Sequence, residues 1–339
     1  MVTLKQIATT VGVSQATVSR VLNFDATLSV TQQTRQAVIE AAEALNYATP
    51  RARQRQRAGT GPIKVAMVHF LRPDQELADP YYVGVRLGIE SRCAALQIEC
   101  VKIYHSEAMP EARLLAQSSG VICIGAHNDA EVAWFKAHAR HIVCADFIPK
   151  DDEIDAVESD RALAMRKLLT AMTDMGYRRI AFAGWWDHDY QGRIVAEEAR
   201  CKAYVAFMRD AGLFDPAICL TDFNTEDSGY RLTKAIMACA NRPDALITGN
   251  DNMAVGSYRA LHELGLRVPD DIAIASFNDI SVAQFMNPPL STVRLPSEEI
   301  GETAVDLLVE RINGRDIAKR TTLASRILWR GSTRQPVGE

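Results

Sequence analysis

Apolar residues recur at helical spacing in three short blocks over the first 46 positions. Ile7, Ala8 and Val11 make the first block, and Thr3 with Gln6 places a T-x-x-Q capping box ahead of it. Gly12 stands where a tight turn needs the left-handed backbone. Ser14 then caps a predicted second helix with Val18, Val21 and Leu22 along one side. Thr31 opens a third, with Val38, Ala42 and Leu45 turned inward. Helix, glycine turn, helix is the pattern of a helix-turn-helix unit. Residues 49–62 (TPRARQRQRAGTGP) carry no large apolar side chain and read as a linker.

From Ile63 the period changes. Short apolar runs (IKVAMVHF, IECVKIY, VICIG, HIVCAD) alternate with amphipathic stretches. Past Asp160 the alternation repeats: helix 160–175, RIAFAG, helix 196–211, ICLTDF, helix 228–239, ALITG, helix 252–263 and IAIASF. Apolar runs separated by helices predict parallel sheets covered on both faces, here in two lobes meeting near Asp160.

Charge sharpens this division. The net charge is -4 over 339 residues, yet residues 1–61 hold seven Lys/Arg against Asp25, Glu40 and Glu43. The head is therefore +4 and the remainder -8, which suits a head that meets a polyanion and a body that does not. Seven scattered cysteines without a C-x-x-C pair are expected to be reduced core residues of a cytoplasmic protein. The start MVTLKQIATT has no basic-then-apolar leader pattern, and no apolar run approaches the ~18 residues of a membrane span.

The chemistry of the head follows from residue type. A helix beginning at Ser14 would lay its first residues at base edges in the major groove. Gln15 can hydrogen-bond a base bidentately, Ala16 offers a methyl to thymine, and Arg20 suits guanine or phosphate. Thr3, Ser14, Thr17, Ser19 and Asn23 carry short polar groups suited to phosphate oxygens. A small helical bundle with solvated polar faces is the competing reading, and the agreement of caps, turn glycine and basic charge disfavours it.

The segment TLKQIATTVGVSQATVSRVLN, followed by TRQAVIEAAEALNY, resembles the headpiece of the lactose/galactose repressor family of bacterial transcription factors. DPYYVGVRLGIE, VESD, MGYRRIAFAG, ITGNDNMAVGSYRALHELGLRVPDDIAIASFND and PPLSTVRLP match the family's signatures in order, over nearly the whole chain. Within it, the DPYY segment and the SFND run are most similar to the evolved β-galactosidase operon repressor type.

The resemblance implies a helix-turn-helix headpiece at 1–48, a hinge at 49–61 and an α/β core of two doubly wound parallel-sheet lobes, periplasmic-binding-protein-like. It divides the core into 62–159 with 292–320 and 160–291 with 321–333. It further implies a homodimer on a pseudo-palindromic operator, and a small sugar bound between the lobes that shifts a two-state equilibrium shared with DNA. The sequence shows no C-terminal leucine heptad before RGSTRQPVGE, so a dimer is expected.

In the hinge, Arg55 stands where the family usually has an apolar wedge. Arg53 and Arg55 can attract a narrow minor groove or simply phosphates. For the effector cleft the resemblance designates Asp79, Tyr82, Asp146, Arg200, Phe223, Asn250, Asp251 and Asn278. Open α/β sheets bind ligands beyond the carboxyl ends of strands, which agrees with this set. Each of these residues reads alternatively as a helix cap or a surface polar group, most clearly Asp251, which could cap helix 252–263.

Other patterns lead elsewhere. Trp185 and Trp186 can stack on a ligand or pack at an interface. His138 and His141 have a metal-like spacing without a third ligand, so no metal is expected. Glu197 and Glu198, adjacent on a predicted helix, would point apart and so fail as a facing acid/base pair. P-loop, G-x-G-x-x-G and G-x-S-x-G patterns are missing, so neither a cofactor nor an enzyme is expected. A purine or sugar-phosphate effector, a sugar receptor without DNA function, and a carbohydrate-processing enzyme with a fused DNA-binding head remain the alternatives.

Overall fold

The computed structural model describes residues 4–22, 28, 30–44, 63–104, 109–188, 194–196 and 198–335. Thr3, Asn23, Leu45, Arg53 and Arg55 lie outside them, as do the rest of the expected hinge at 49–61 and Pro62. The chain forms two units, Met1–Ile63 and Lys64–Glu339.

The first unit contains helices α1 (Leu4–Val11), α2 (Gln15–Leu22) and α3 (Gln32–Ala44). Their apolar stripes meet in one cluster of Ile7, Ala8, Val18, Val21, Val38 and Ala42. Gly12 makes the turn with φ +73, a conformation that strains any residue bearing a Cβ. Ser14 Oγ accepts the Thr17 N–H at 3.0 Å and Thr31 Oγ1 accepts the Thr34 N–H at 3.1 Å, so both predicted caps form.

The second unit holds two six-stranded sheets. The first lobe comprises β1 (Lys64–His69), α4 (Pro73–Leu77), α5 (Pro80–Ala95), β2 (Glu99–Tyr104), α6 (Ala112–Ala116), β3 (Gly120–Ile124), α7 (Asp129–His138), β4 (Ile142–Ala145) and β5 (Asp155–Ser159). The second follows with α8 (Arg161–Asp174), β6 (Ile180–Trp185), a short antiparallel pair β7 (Asp187–His188) and β8 (Ile194–Ala196), and α9 (Ala199–Asp210). It continues through β9 (Cys219–Asp222), α10 (Glu226–Met237), β10 (Ala245–Thr248), α11 (Asp251–Glu263), β11 (Ala273–Phe277) and β12 (Ser291–Arg294). Then come α12 (Ser297–Ile312), β13 (Arg320–Leu323) and β14 (Arg326–Leu328).

Strand orders are β13-β5-β4-β3-β1-β2 and β14-β12-β11-β10-β6-β9. Every pairing in the first sheet is parallel, and in the second only β12–β14 is antiparallel. The central strands β3, β4, β10 and β11 are buried at every position, which is why they read as unbroken apolar runs. All seven cysteines are free thiols.

The chain passes between the lobes three times: after Ser159, after Arg294 and after Leu323. Sheet membership therefore moves the later crossings a few residues beyond the expected 291 and 320. β12 completes the second sheet before the chain leaves, and β13 completes the first before it returns. The helix expected at 196–211 also starts later, at Ala199, because 194–196 pairs as β8.

Close helix packing in both lobes depends on glycine. A Cβ on Gly88 would lie 2.0 Å from the Glu298 carbonyl oxygen, and one on Gly301 2.2 Å from that of Val85, so α5 and α12 touch backbone to backbone. Gly229 and Gly256 do the same for α10 and α11, with 2.1 Å to Met253 O and 1.8 Å to Glu226 O.

Candidate functional site

On α2, Val18 and Val21 face the core, while Ser14, Gln15, Ala16 and Arg20 are exposed and Thr17 and Ser19 are half-buried. The helix thus anchors one side and presents its first turn outward, with the Ser14 and Thr17 hydroxyls 2.8 Å apart.

In the larger unit, each sheet reverses its strand order between two interior neighbours, β1/β3 in the first and β6/β10 in the second, the kind of switch point beyond which open α/β sheets bind ligands. The first lobe brings three predicted residues there. Asp79 caps α5 by accepting the Tyr81 N–H at 3.2 Å. Burial, with Asp146 nearby, pushes its carboxyl up to about 6. Asp146 follows β4 with φ 72, a left-handed backbone rare for a non-glycine residue. Its carboxylate accepts the Tyr81 hydroxyl at 2.7 Å, the Tyr82 hydroxyl at 3.1 Å and Arg161 Nη1 at 3.2 Å.

The second lobe supplies Arg200, whose side chain is 5% exposed. Its Nε donates to Glu198 Oε1 at 2.8 Å and its Nη1 to the Gly249 carbonyl at 2.7 Å. The guanidinium lies 4.4 Å from the Trp185 ring centroid and 5.4 Å from that of Phe277. Trp185 therefore serves as a floor for Arg200. Glu198 does not lie on the helix expected to carry it with Glu197, and Glu197 lies outside the described residues. Glu198 precedes α9 and caps it, accepting the N–H groups of Arg200 and Cys201 at 2.8 and 3.2 Å.

Both Asn250 and Asp251 are expected in the cleft, and the cap that Asp251 alternatively offers falls to Asn250. Asn250 is the cap of α11, accepting the Met253 N–H at 2.9 Å and donating to the Asn224 carbonyl at 3.1 Å. Asp251 lies inside the helix, fully buried, accepting the Ile280 N–H at 2.9 Å and the Thr292 hydroxyl at 2.8 Å. Burial pushes its carboxyl up to about 7. Asn278 follows β11 in the left-handed region, φ 107. Phe223 follows β9 and is 55% exposed.

Sequence reasoning missed Tyr81, Arg161, Glu198, Asn252 and His69. Asn252 Nδ2 donates to the Ala78 carbonyl at 2.8 Å, joining the lobes. His69, at the end of β1, is buried and held neutral: burial lowers it to about 4. Its Nδ1 accepts the Leu71 N–H at 3.0 Å, which leaves the proton on Nε2, without a hydrogen-bond partner among the described residues. His138 stacks on Trp134 at 4.3 Å between centroids, and the described residues contain no group of three potential metal ligands. No described helix is long and apolar enough to cross a membrane.

A family model described as bacterial regulatory proteins, lacI family, matches residues 3–50, and one described as a periplasmic binding protein-like domain matches 169–333. The HTH-type transcriptional repressor MelR of Bacillus subtilis (strain 168) is 35% identical over 338 residues, 98% of this chain and 97% of that protein. The lactose operon repressor of Rhizobium radiobacter is 56% identical over 110 residues, 32% of this chain and 97% of that sequence. Among solved structures, the complex of the transcriptional regulator CelR with cellobiose aligns with a TM-score of 0.70 at 26% identity, covering 98% of this chain and 100% of that one.

Proposed function

The chain belongs to the lacI family of bacterial regulatory proteins, a family of transcriptional regulators rather than enzymes, and on that premise we propose that it represses a sugar-utilisation operon and is released by a galactoside. It acts in the cytoplasm as a homodimer on a pseudo-palindromic operator, two headpieces reading two half-sites. Gln15, Ala16 and Arg20 read bases, and Thr3, Ser14, Thr17, Ser19 and Asn23 hold phosphates. Arg53 and Arg55 add attraction along the backbone. The sugar sits between Asp79, Tyr82 and Asp146 on one side and Arg200, Asn250 and Asn278 on the other, with Phe223 over its apolar face. The DPYY and SFND runs resemble the evolved β-galactosidase operon repressor type, which favours a galactoside among sugars.

One observation carries this reading: Arg200 is held rigidly by Glu198, Gly249 and Trp185 at the edge where Asp79 and Asp146 converge. Paired donors and acceptors on fixed supports suit vicinal hydroxyls. The similarity to relatives named for a lactose operon and solved with cellobiose supports a sugar.

The test begins by enriching bound sequences from a random duplex library, which should converge on a pseudo-palindrome. Operator binding is then followed by anisotropy with galactose, lactose, melibiose, sugar phosphates and purines. A galactoside should weaken it. A response only to purines or sugar phosphates would overturn the effector, and failure to converge would overturn the operator reading.

A further inference from the structure

The Asp146 carboxylate offers about four acceptor positions, and three are taken. Two donors, Tyr81 and Tyr82, belong to α5 of its own lobe. The third, Arg161, is the first residue of α8, which packs on α9 of the other lobe. Its guanidinium reaches back across the chain crossing to Asp146 at 3.2 Å and Glu158 at 3.8 Å, and Glu198 faces it from the second lobe. Around the cleft the charges alternate: Asp79, Arg200, Glu198, Arg161, Asp146. Elsewhere along the cleft, Asn252 joins α11 to the Ala78 carbonyl.

Arg161 is thus the second-lobe partner of a cleft carboxylate held on a left-handed backbone, φ 72. Its 3.2 Å bond is the longest of the three and exceeds the ~2.7–2.9 Å of a tight charge-assisted bond, so it is the contact of Asp146 most open to competition. We propose that Arg161 is an interlobe positioning residue: its ion pair with Asp146 sets the relation of the two lobes, and ligand hydroxyls act by competing for that carboxylate. The second half of the statement rests on the sugar reading above; the first does not.

The competition supplies a differential contact between two lobe arrangements, which any ligand-driven change needs. Asp146 bonded to Arg161 favours one, and Asp146 bonded to a hydroxyl loses that restraint. Arg161 then acts through Asp146 without touching the ligand.

The experiment compares the full-length protein with Arg161→Ala, Arg161→Lys and Asn252→Ala. Amide hydrogen exchange without sugar is the first readout. Loss of the latch should speed exchange about tenfold at 157–165 and, across the cleft, at 250–256, with Arg161→Lys restoring most of the protection. Exchange altered only beside residue 161, or a lysine variant no better than alanine, would overturn the interlobe role. The second readout is the ratio of operator affinities without and with lactose. In coupled systems such ratios run about 5–150-fold. It should fall toward one in Arg161→Ala while calorimetry still shows lactose binding. An unchanged ratio would overturn the competition. If the unaltered protein binds no sugar, the sugar reading fails, and the exchange data alone decide whether Arg161 ties the lobes.

Discussion

The Asp251 carboxyl is closed off from solvent and titrates near 7 because burial disfavours its charged form more than the Ile280 and Thr292 donors favour it. An acid whose pKa is raised by folding binds its proton more tightly in the folded state. Its contribution is therefore most favourable below the unfolded pKa and is lost as pH rises from about 4 through about 7. Urea midpoints should fall across that window, and Asp251→Asn should flatten the fall; an identical slope in the variant would mean Asp251 stays ionised. Arg200→Ala should cost about 3 kcal/mol in urea unfolding, because it leaves the buried Glu198 carboxylate unpaired. It should also abolish the response to lactose while operator binding persists. Gln15→Ala should relax base preference and leave the salt dependence of DNA binding unchanged; equal loss on all sequences would mean Gln15 reads no base. At this scale the sequence is partly legible. Asp79, Asp146 and Arg200 could be designated because their neighbours carry the family's signatures. Arg161 and Glu198 could not. Their partners are set by how two lobes meet and by a helix starting three residues late, and neither leaves a local pattern.

Elements were easier to foresee than their partners. Caps at Ser14 and Thr31 and the fully apolar strands announce themselves, since each obeys a local rule. The α5–α12 and α10–α11 contacts do not, because Gly88 and Gly301 lie 213 positions apart. Only the fold shows that each lobe uses glycine to bring two helix backbones together. Gly301→Ala should lower stability by about 1–3 kcal/mol as α5 and α12 separate, whereas Gly212→Ala, with open space around its site but φ +69, should cost less. Urea denaturation of the two variants side by side measures the difference. Equal losses would show that backbone conformation, not helix approach, sets the cost.

For the whole molecule, a basic three-helix unit and an acidic two-lobed unit divide the work, as the charge split implied. A core beginning at Lys64 should retain lactose binding in calorimetry and lose operator binding; loss of both would place part of the sugar site in the head. The three crossings between lobes also have a consequence for synthesis. The first sheet lacks an edge strand until β13 is made, and the second lacks one until β14 is made. Ser332 then closes the second lobe by bonding Ile274 O at 2.6 Å and Ser291 N at 2.7 Å. Neither lobe can be finished while the ribosome is still short of these residues, although the headpiece has long since emerged. A ribosome that stops early would release a DNA-reading head on an unfinished sensor. The late return of the chain ties completion of both lobes to one short stretch, so that they mature together or not at all.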